Sequence, residues 1–166
     1  MGMSAYGIEI SENAIKLAEK YVKEWGANAE IRLYDGKNIP YPDSFFDFVI
    51  SLGVLDHMKF SDALSLVNEE IYRVLTPGGY LCASLHSMRD SNYGKGKKIE
   101  KNTFIIEEGN YELGLPQHYY DEKDILALFN NFQIERCFLE GEGIYDLSSK
   151  NLISKSSFWI IYAQKY

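Results

Sequence analysis

The sequence is poor in cysteine and has no long hydrophobic run. Its 166 residues include two cysteines, Cys82 and Cys137. Two are too few for a disulfide framework, and both lie in apolar, strand-like runs where we expect buried, reduced thiols. We therefore expect a reducing, cytoplasmic compartment. No window approaches the ~18 uninterrupted apolar residues of a membrane span, and the first residues show no export signal, so we expect no membrane partner.

Positive charge is also scarce. The chain has 17 Lys and Arg residues against 24 Asp and Glu residues, a net charge of −7. A surface of this charge repels phosphate backbones, so we expect no nucleic-acid partner. Lysines between residues 95 and 101 form a local basic run, which is either a solvated loop or a guide for an anionic substrate. The length and the 46% hydrophobic content predict one domain over residues 1–166.

What the sequence does contain is an alternation of strand-like and helix-like segments. Apolar strand patterns cover 6–10, 30–34, 45–52 and 80–85, and amphipathic helix patterns cover 11–25 and 61–75. Ser11 is the predicted N-cap of the first helix, and Gly26 ends it. This order predicts an α/β domain with a mostly parallel sheet. The nearly continuous apolar run at 45–52 predicts a strand covered on both faces.

Residues 88–120 break this alternation and are rich in glycine and lysine. An insertion of that length predicts a lid or a substrate-binding segment. The side chains that we expect to face a substrate are Tyr93, Tyr111, His118 and Tyr119. After the insertion, Asp121 is predicted to cap a short helix. Strand patterns at 132–139 and 157–163 then predict an antiparallel hairpin.

Two acidic residues follow strand ends. Glu9 lies near the end of the first predicted strand, and Asp35 follows the second. Ligands of parallel α/β sheets bind outside these carboxyl ends, where one acid can accept both ribose hydroxyls and a second can accept an adenine amine. Taken singly, Glu9 could instead serve the helix dipole at Ser11, and Asp35 could be a turn residue. Together they favour nucleotide binding, with a nicotinamide enzyme as an open alternative.

Four ordered segments resemble class I S-adenosylmethionine-dependent methyltransferases. They are Gly7–Ser11, Asp35–Gly36 with Ile39–Asp43, Phe46–Ser51, and Glu70–Leu81. The resemblance implies a three-layer, Rossmann-like methyltransferase sandwich with a mostly parallel sheet and a C-terminal antiparallel hairpin. It also implies S-adenosylmethionine as cofactor and methyl transfer to a small-molecule substrate.

The resemblance carries roles over to particular residues. It assigns the ribose to Glu9, the adenine to Ile10, Asp35 and Gly36, and the methionine end to Ser51, Leu52 and Gly53. It places His57 near the transferred methyl group and His118 in the segment that covers the substrate, so both are catalytic candidates; a structural role of His57 at a helix entry stays open. No trio of His, Cys and acidic residues has the close spacing of a metal site, so we expect no metal.

The family's opening strand and glycine-rich turn have no counterpart in this sequence. The glycine pairs at 94–96 and 141–143 do not lie between a first strand and a first helix. We therefore expect the first strand and helix to be missing and S-adenosylmethionine binding to be weak. The alternative is an N-terminally truncated, non-catalytic fragment with little or no cofactor binding. We expect residues 6–10 to pair directly with 46–52, or another copy to fill the gap in a homo-oligomer.

Overall fold

The computed structural model describes residues 3–108, 112–146 and 151–166. Tyr111, which was predicted to face a substrate, lies outside the described residues. The chain divides into two compact units, residues 1–42 and residues 43–166.

The first unit is a strand, a helix and a parallel strand. It consists of β1 (Ala5–Glu9), α1 (Glu12–Glu24) and β2 (Ala29–Leu33). The strands pair in parallel, from Ala5 opposite Ala29 to Glu9 opposite Leu33. The Ser11 hydroxyl accepts a hydrogen bond from the Ala14 amide at 3.3 Å, and Gly26 follows the helix at a φ of +61°. The predicted strands, the cap and the helix end are therefore confirmed.

The second unit contains a four-stranded mixed sheet. Its strands are β3 (Phe46–Ser51), β4 (Leu75–His86), β8 (Phe132–Asp146) and β9 (Asn151–Lys165), in the order β3-β4-β9-β8. The predicted C-terminal hairpin is present, since β8 and β9 are antiparallel. The prediction of a mostly parallel sheet is wrong for this sheet. Because β9 inserts between β4 and β8 and runs antiparallel to both, only β3 and β4 form a parallel pair.

A helical segment connects β3 to β4. It comprises α2 (Phe60–Ser65), a π-helical stretch (Leu66–Ile71) and α3 (Tyr72–Val74). The predicted apolar face is buried at Val67, Ile71 and Val74. The Lys165 ammonium group donates to the Tyr72 and Leu75 carbonyl oxygens, both at 2.7 Å, and so satisfies acceptors at the end of the helix. Within the described ranges, none of the helices is long and apolar enough to cross a bilayer.

The segment at 88–120 contains a small antiparallel sheet that the sequence analysis did not predict. Its strands are β5 (Lys97–Glu100), β6 (Thr103–Ile105) and β7 (Pro116–His118), in the order β5-β6-β7. The next helix, α4 (Glu122–Leu128), begins with the predicted cap. There the Asp121 side chain accepts from the Asp124 amide, and the Asp124 side chain accepts from the Asp121 amide.

Three predictions about pairing and burial are wrong. In the part of the chain that the structure describes, β1 pairs with β2 alone and β3 with β4 alone, so residues 6–10 do not pair with 46–52. As an edge strand, β3 is not covered on both faces, and the side chains of Phe48 and Ile50 are exposed. Cys82 is buried as expected, whereas Cys137 is exposed on β8.

Candidate functional site

Glu9 and Asp35 lie at the same edge of the β1–β2 pair. Glu9 ends β1, and Asp35 comes two residues after the end of β2. The Tyr34 amide donates to the Glu9 carbonyl oxygen at 2.9 Å, which continues the parallel register to this edge. Glu9 is half-buried and Asp35 is exposed, so neither carboxylate is sealed in the core. The structure thus places both acids at the carboxyl ends of adjacent parallel strands.

Both carboxylates also have local partners. One Glu9 oxygen accepts from the Ser11 amide at 2.9 Å, at the start of α1. Asp35 accepts from the Lys37 and Asn38 amides, each at 2.8 Å, and these hydrogen bonds, with Asn38 contributing most, lower the pKa of Asp35. A carboxylate has about four acceptor positions, so these bonds leave capacity for a ligand.

The remaining adenosine candidates of the first unit are accessible. The Ile10 side chain is 69% exposed at the end of β1, where an apolar surface is available to a flat ring. Gly36 has a φ of +82°, and a Cβ atom there would meet nothing within 4 Å. The positive φ favours glycine after Asp35 and fixes the turn that orients its carboxylate.

In the second unit, Ser51, Leu52 and Gly53 lead out of β3. Ser51 is buried, whereas Leu52 and Gly53 are exposed. Gly53 has a φ of +65°, and its amide donates to the Ser84 hydroxyl at 3.0 Å, which ties the loop to β4. The candidate residues for the methionine end therefore occupy an anchored turn at the carboxyl end of β3.

Beyond this turn, the structure brings together three side chains that the sequence analysis did not group. Asp56 and His57 follow the turn, and His86 ends β4. One possible ligand atom from each lies within 4.8 Å of the others. The Asp56 carboxylate is 3.2 Å from His86 Nε2. We call these residues the Asp56 cluster; they correct the expectation that no His and acid trio has metal-site proximity.

The signal for this cluster was available in the sequence. Asp56 and His57 come shortly after β3, and His86 is the last residue of β4. These two apolar strands are parallel neighbours. The rule that grouped Glu9 with Asp35 therefore also groups these residues. Spacing along the chain missed them because α2 and the rest of the connection separate the two strand ends.

The segment at 88–120 holds the Asp56 cluster in place through its backbone and Tyr120. The His118 amide donates to the Asp56 carbonyl oxygen at 2.8 Å, and the Tyr120 amide donates to the His86 carbonyl oxygen at 2.7 Å. The Tyr120 hydroxyl donates to the Leu55 carbonyl oxygen at 2.8 Å. Burial raises the pKa of the Asp56 carboxyl, and the two imidazoles oppose that shift in part.

The two catalytic candidates have different surroundings. The His57 side chain is 25% exposed, and that of His118 is 2% exposed. His118 Nδ1 is 2.7 Å from the Thr103 hydroxyl, and its ring stacks on Phe60 with centroids 5.0 Å apart. Burial lowers the pKa of His118, although Asp124 opposes the shift, so the neutral imidazole is favoured.

Two of the expected substrate-facing tyrosines have internal partners. Tyr119 is fully buried, and its hydroxyl donates to the Gln117 side chain at 2.8 Å. Burial raises the pKa of Tyr119 above its ordinary range. Tyr93 is half-buried and donates to the Asn102 side chain at 3.1 Å. Tyr119 and His118 are thus packed against internal partners, and their expected role in facing a substrate stays a prediction.

A solved structure resembles nearly the whole chain. It is an S-adenosylmethionine-dependent methyltransferase from Methanosarcina mazei, with a TM-score of 0.75 and 25% sequence identity. The match covers 98% of this chain and 82% of that one.

Curated relatives match a little under half of the chain. A demethylmenaquinone methyltransferase of a Geobacillus species is 37% identical over 76 residues, which cover 45% of this chain and 31% of that protein. The "probable tRNA methyltransferase 9B" of Mus musculus is 31% identical over 77 residues, which cover 46% of this chain and 16% of that protein. The chain therefore spans less than a third of these relatives.

A family model matches the half of the chain that contains β1, β2 and β3, the strands whose carboxyl ends carry the candidate cofactor-binding residues. The model of the family described as "Methyltransferase domain" matches residues 1–83, which include β1, β2, β3 and most of β4. The chain therefore belongs to the methyltransferase domain family and has the class I fold of S-adenosylmethionine-dependent methyltransferases.

Proposed function

We propose that this chain transfers a methyl group from S-adenosylmethionine to a small-molecule acceptor. The observation that carries the proposal is the position of Glu9 and Asp35 at the carboxyl ends of adjacent parallel strands. In this family fold, that edge is suited to a nucleoside, because one carboxylate can accept ribose hydroxyls while the other accepts the adenine amine.

The residues at this edge fit the adenosine half of the cofactor. The pKa of Asp35 is lowered, so its carboxylate is ionised at neutral pH and accepts hydrogen bonds. Ile10, 69% exposed, offers an apolar contact for the adenine ring. Glu9 keeps acceptor capacity beyond its bond to the Ser11 amide. We assign the ribose to Glu9 and the adenine to Ile10, Asp35 and Gly36.

At the end of β3, we assign the methionine portion to Ser51, Leu52 and Gly53. S-adenosylmethionine supplies an electrophilic methyl group on a sulfonium ion, so the chain must mainly align the acceptor and exclude water. His57 is the catalytic candidate that is partly exposed, and in our proposal it accepts the proton of the acceptor. His118, which is buried against Phe60 and Thr103, has a positioning role.

A small acceptor is favoured over a nucleic acid by charge. The net charge of −7 disfavours binding to a phosphate backbone, although one relative is named for tRNA. Asp56 is 1% exposed, and its carbonyl oxygen accepts from the amide of His118 in the segment at 88–120. In our proposal, this segment encloses a small molecule near His57.

We further propose that an additional strand pairs with the outer edge of β3. The support is the exposure of Phe48 and Ile50, 48% and 63%, on an edge strand whose sequence is typical of a buried one. An added strand would pair with the outer edge of β3 and cover these side chains.

The proposed activity can be tested with S-adenosylmethionine labelled on its methyl group. The protein is incubated with the label and either the dialysable fraction of a cell extract or purified tRNA. We expect protein-dependent label in dialysable products and none in tRNA. Label in tRNA would contradict the proposed acceptor class, and cofactor binding without transfer to either fraction would favour the non-catalytic alternative.

A further inference from the structure

The Asp56 cluster contains buried polar atoms with unused bonding capacity. In the described part of the chain, both Asp56 carboxylate oxygens and both His86 ring nitrogens are inaccessible to solvent and have no hydrogen-bond partner. The same holds for Nδ1 of His57. A buried polar group without a partner costs about 1–3 kcal/mol, and more when it is charged. One Asp56 oxygen and His86 Nε2 face each other at 3.2 Å without a hydrogen bond, and five such atoms in one place favour a further ligand for the cluster.

The donor set is suitable for a metal ion. In a tetrahedral zinc site, bonds of about 2.0–2.2 Å place the ligand atoms ~3.4 Å apart. The Asp56 oxygen and His86 Nε2, at 3.2 Å, already have this spacing. One atom from each of the three residues lies within 4.8 Å of the others, and His57, the most exposed of the three, can close the remaining distance by side-chain rotation.

Neighbouring groups lie against the two imidazoles of the cluster. Glu112 Oε1 is 4.0 Å from His57 Nε2, and Glu112 Oε2 accepts from the Gln117 side chain at 2.6 Å. This places a carboxylate behind one imidazole, the arrangement that orients histidine ligands in metal sites. The His86 ring packs against Tyr119 and Phe158, with centroids 5.4 and 5.0 Å away.

We propose that the Asp56 cluster binds one Zn²⁺ ion through Asp56, His57 and His86, with Glu112 as the outer partner of His57. Two imidazoles and one carboxylate favour zinc and similar transition metals over Mg²⁺, which prefers oxygen ligands. Three protein ligands leave a coordination position open, as in catalytic zinc sites, for water or a heteroatom of a bound molecule. Methyl transfer from S-adenosylmethionine requires no metal, but this site includes His57, so a chain with zinc bound would lack His57 as the proton acceptor proposed above.

Metal binding by the full chain tests the proposal directly. Metal-free protein is dialysed against Zn²⁺ with Mg²⁺ in excess, and bound metal is measured by elemental analysis. We expect one zinc per chain. We expect affinity to fall by about 100-fold or more in Asp56→Asn, His57→Gln and His86→Gln, and by about 10–100-fold in Glu112→Gln.

Asp62→Asn is the matched control, because it removes an exposed carboxylate in the first turn of α2 that lies outside the cluster, and we expect it to bind zinc like the natural chain. Circular dichroism checks that each variant is folded. We expect the fold to tolerate His57→Gln best, because His57 is the most exposed residue of the cluster. Co²⁺ should give visible d–d bands without a thiolate charge-transfer band, which excludes Cys82 and Cys137 as ligands. No retained zinc, or unchanged zinc affinity in folded His57→Gln, would overturn the proposal.

Discussion

At the scale of single residues, one carboxylate can accept a hydrogen bond from a nearby backbone amide and also contact another side chain. Asp121 caps α4 by accepting from the Asp124 amide at 2.8 Å, and it also contacts the Lys101 ammonium group at 3.1 Å. Burial alone would raise the pKa of Asp121, but these hydrogen bonds outweigh burial and lower it. The ionised form of Asp121 therefore stabilises the folded state.

Asp121→Asn should destabilise the protein at neutral pH but much less in acid. Asparagine keeps the capping oxygen and loses the charge, so we expect a loss of about 0.5–1 kcal/mol. Because the folded pKa lies below its ordinary value of 3.8, the stabilisation is present above that pH and is lost as pH falls through the folded pKa. Urea unfolding at several pH values measures this difference.

Glu122→Gln is the control for Asp121→Asn, since Glu122 is an exposed acid in the same helical turn. We expect it to cost less free energy of unfolding at neutral pH. An equal or larger loss for Glu122→Gln, or a difference for Asp121→Asn that does not shrink in acid, would contradict the role assigned to Asp121.

Single site residues could be predicted from the sequence where local chain order sets their positions. Glu9 and Asp35 were predicted because each follows one strand of a local strand-helix-strand unit, where the chain order sets the geometry. The Asp56 cluster was missed because β3 and β4 are joined by a longer connection, and the burial of Asp56 depends on the segment at 88–120. Local capping signals identify single residues; tertiary packing decides which side chains share a buried site.

At the scale of elements, patterns with strong local signals were predicted well. Helix α1 has a capping serine and a terminating glycine, and α4 has an aspartate cap, so both begin where the sequence indicates. The three short strands β5, β6 and β7 have no comparable signal, because they are stabilised by pairing across loops. The position of β9 between β4 and β8 likewise depends on pairing between strands that are distant in the sequence, which local patterns do not encode.

The exposed edge of β3 should promote self-association. Its Phe48 and Ile50 side chains are apolar and exposed, and an edge strand of this kind pairs readily with another chain. We expect concentration-dependent association of the natural chain in sedimentation velocity, and a clear reduction in Ile50→Lys. Leu126→Lys, which places the same charge at an exposed leucine of α4, should associate like the natural chain. Equal behaviour of the two variants would contradict a role for this edge.

At the scale of the whole molecule, the chain is a member of the methyltransferase domain family, and its first unit carries the strand edge with Glu9 and Asp35 to which we assign the adenosine. The family followed from motifs between residues 7 and 81, and the comparisons agree with it and with the class I fold, but not with the predicted mostly parallel sheet. The acceptor does not follow from those motifs. In our proposal it depends on the segment at 88–120 and the Asp56 cluster, which surround His57.

The central claim is that Glu9 holds the ribose of S-adenosylmethionine. Isothermal titration calorimetry of the natural chain, Glu9→Gln and Glu12→Gln tests it, because Glu12 is a nearby acid in the first turn of α1. We predict saturable binding to the natural chain, weak as the sequence analysis expects, and about tenfold or greater weakening in Glu9→Gln, since a hydrogen bond to a charged group contributes about 1.5–3 kcal/mol. Glu12→Gln should bind like the natural chain. Equal affinity for the natural chain and Glu9→Gln would contradict the claim.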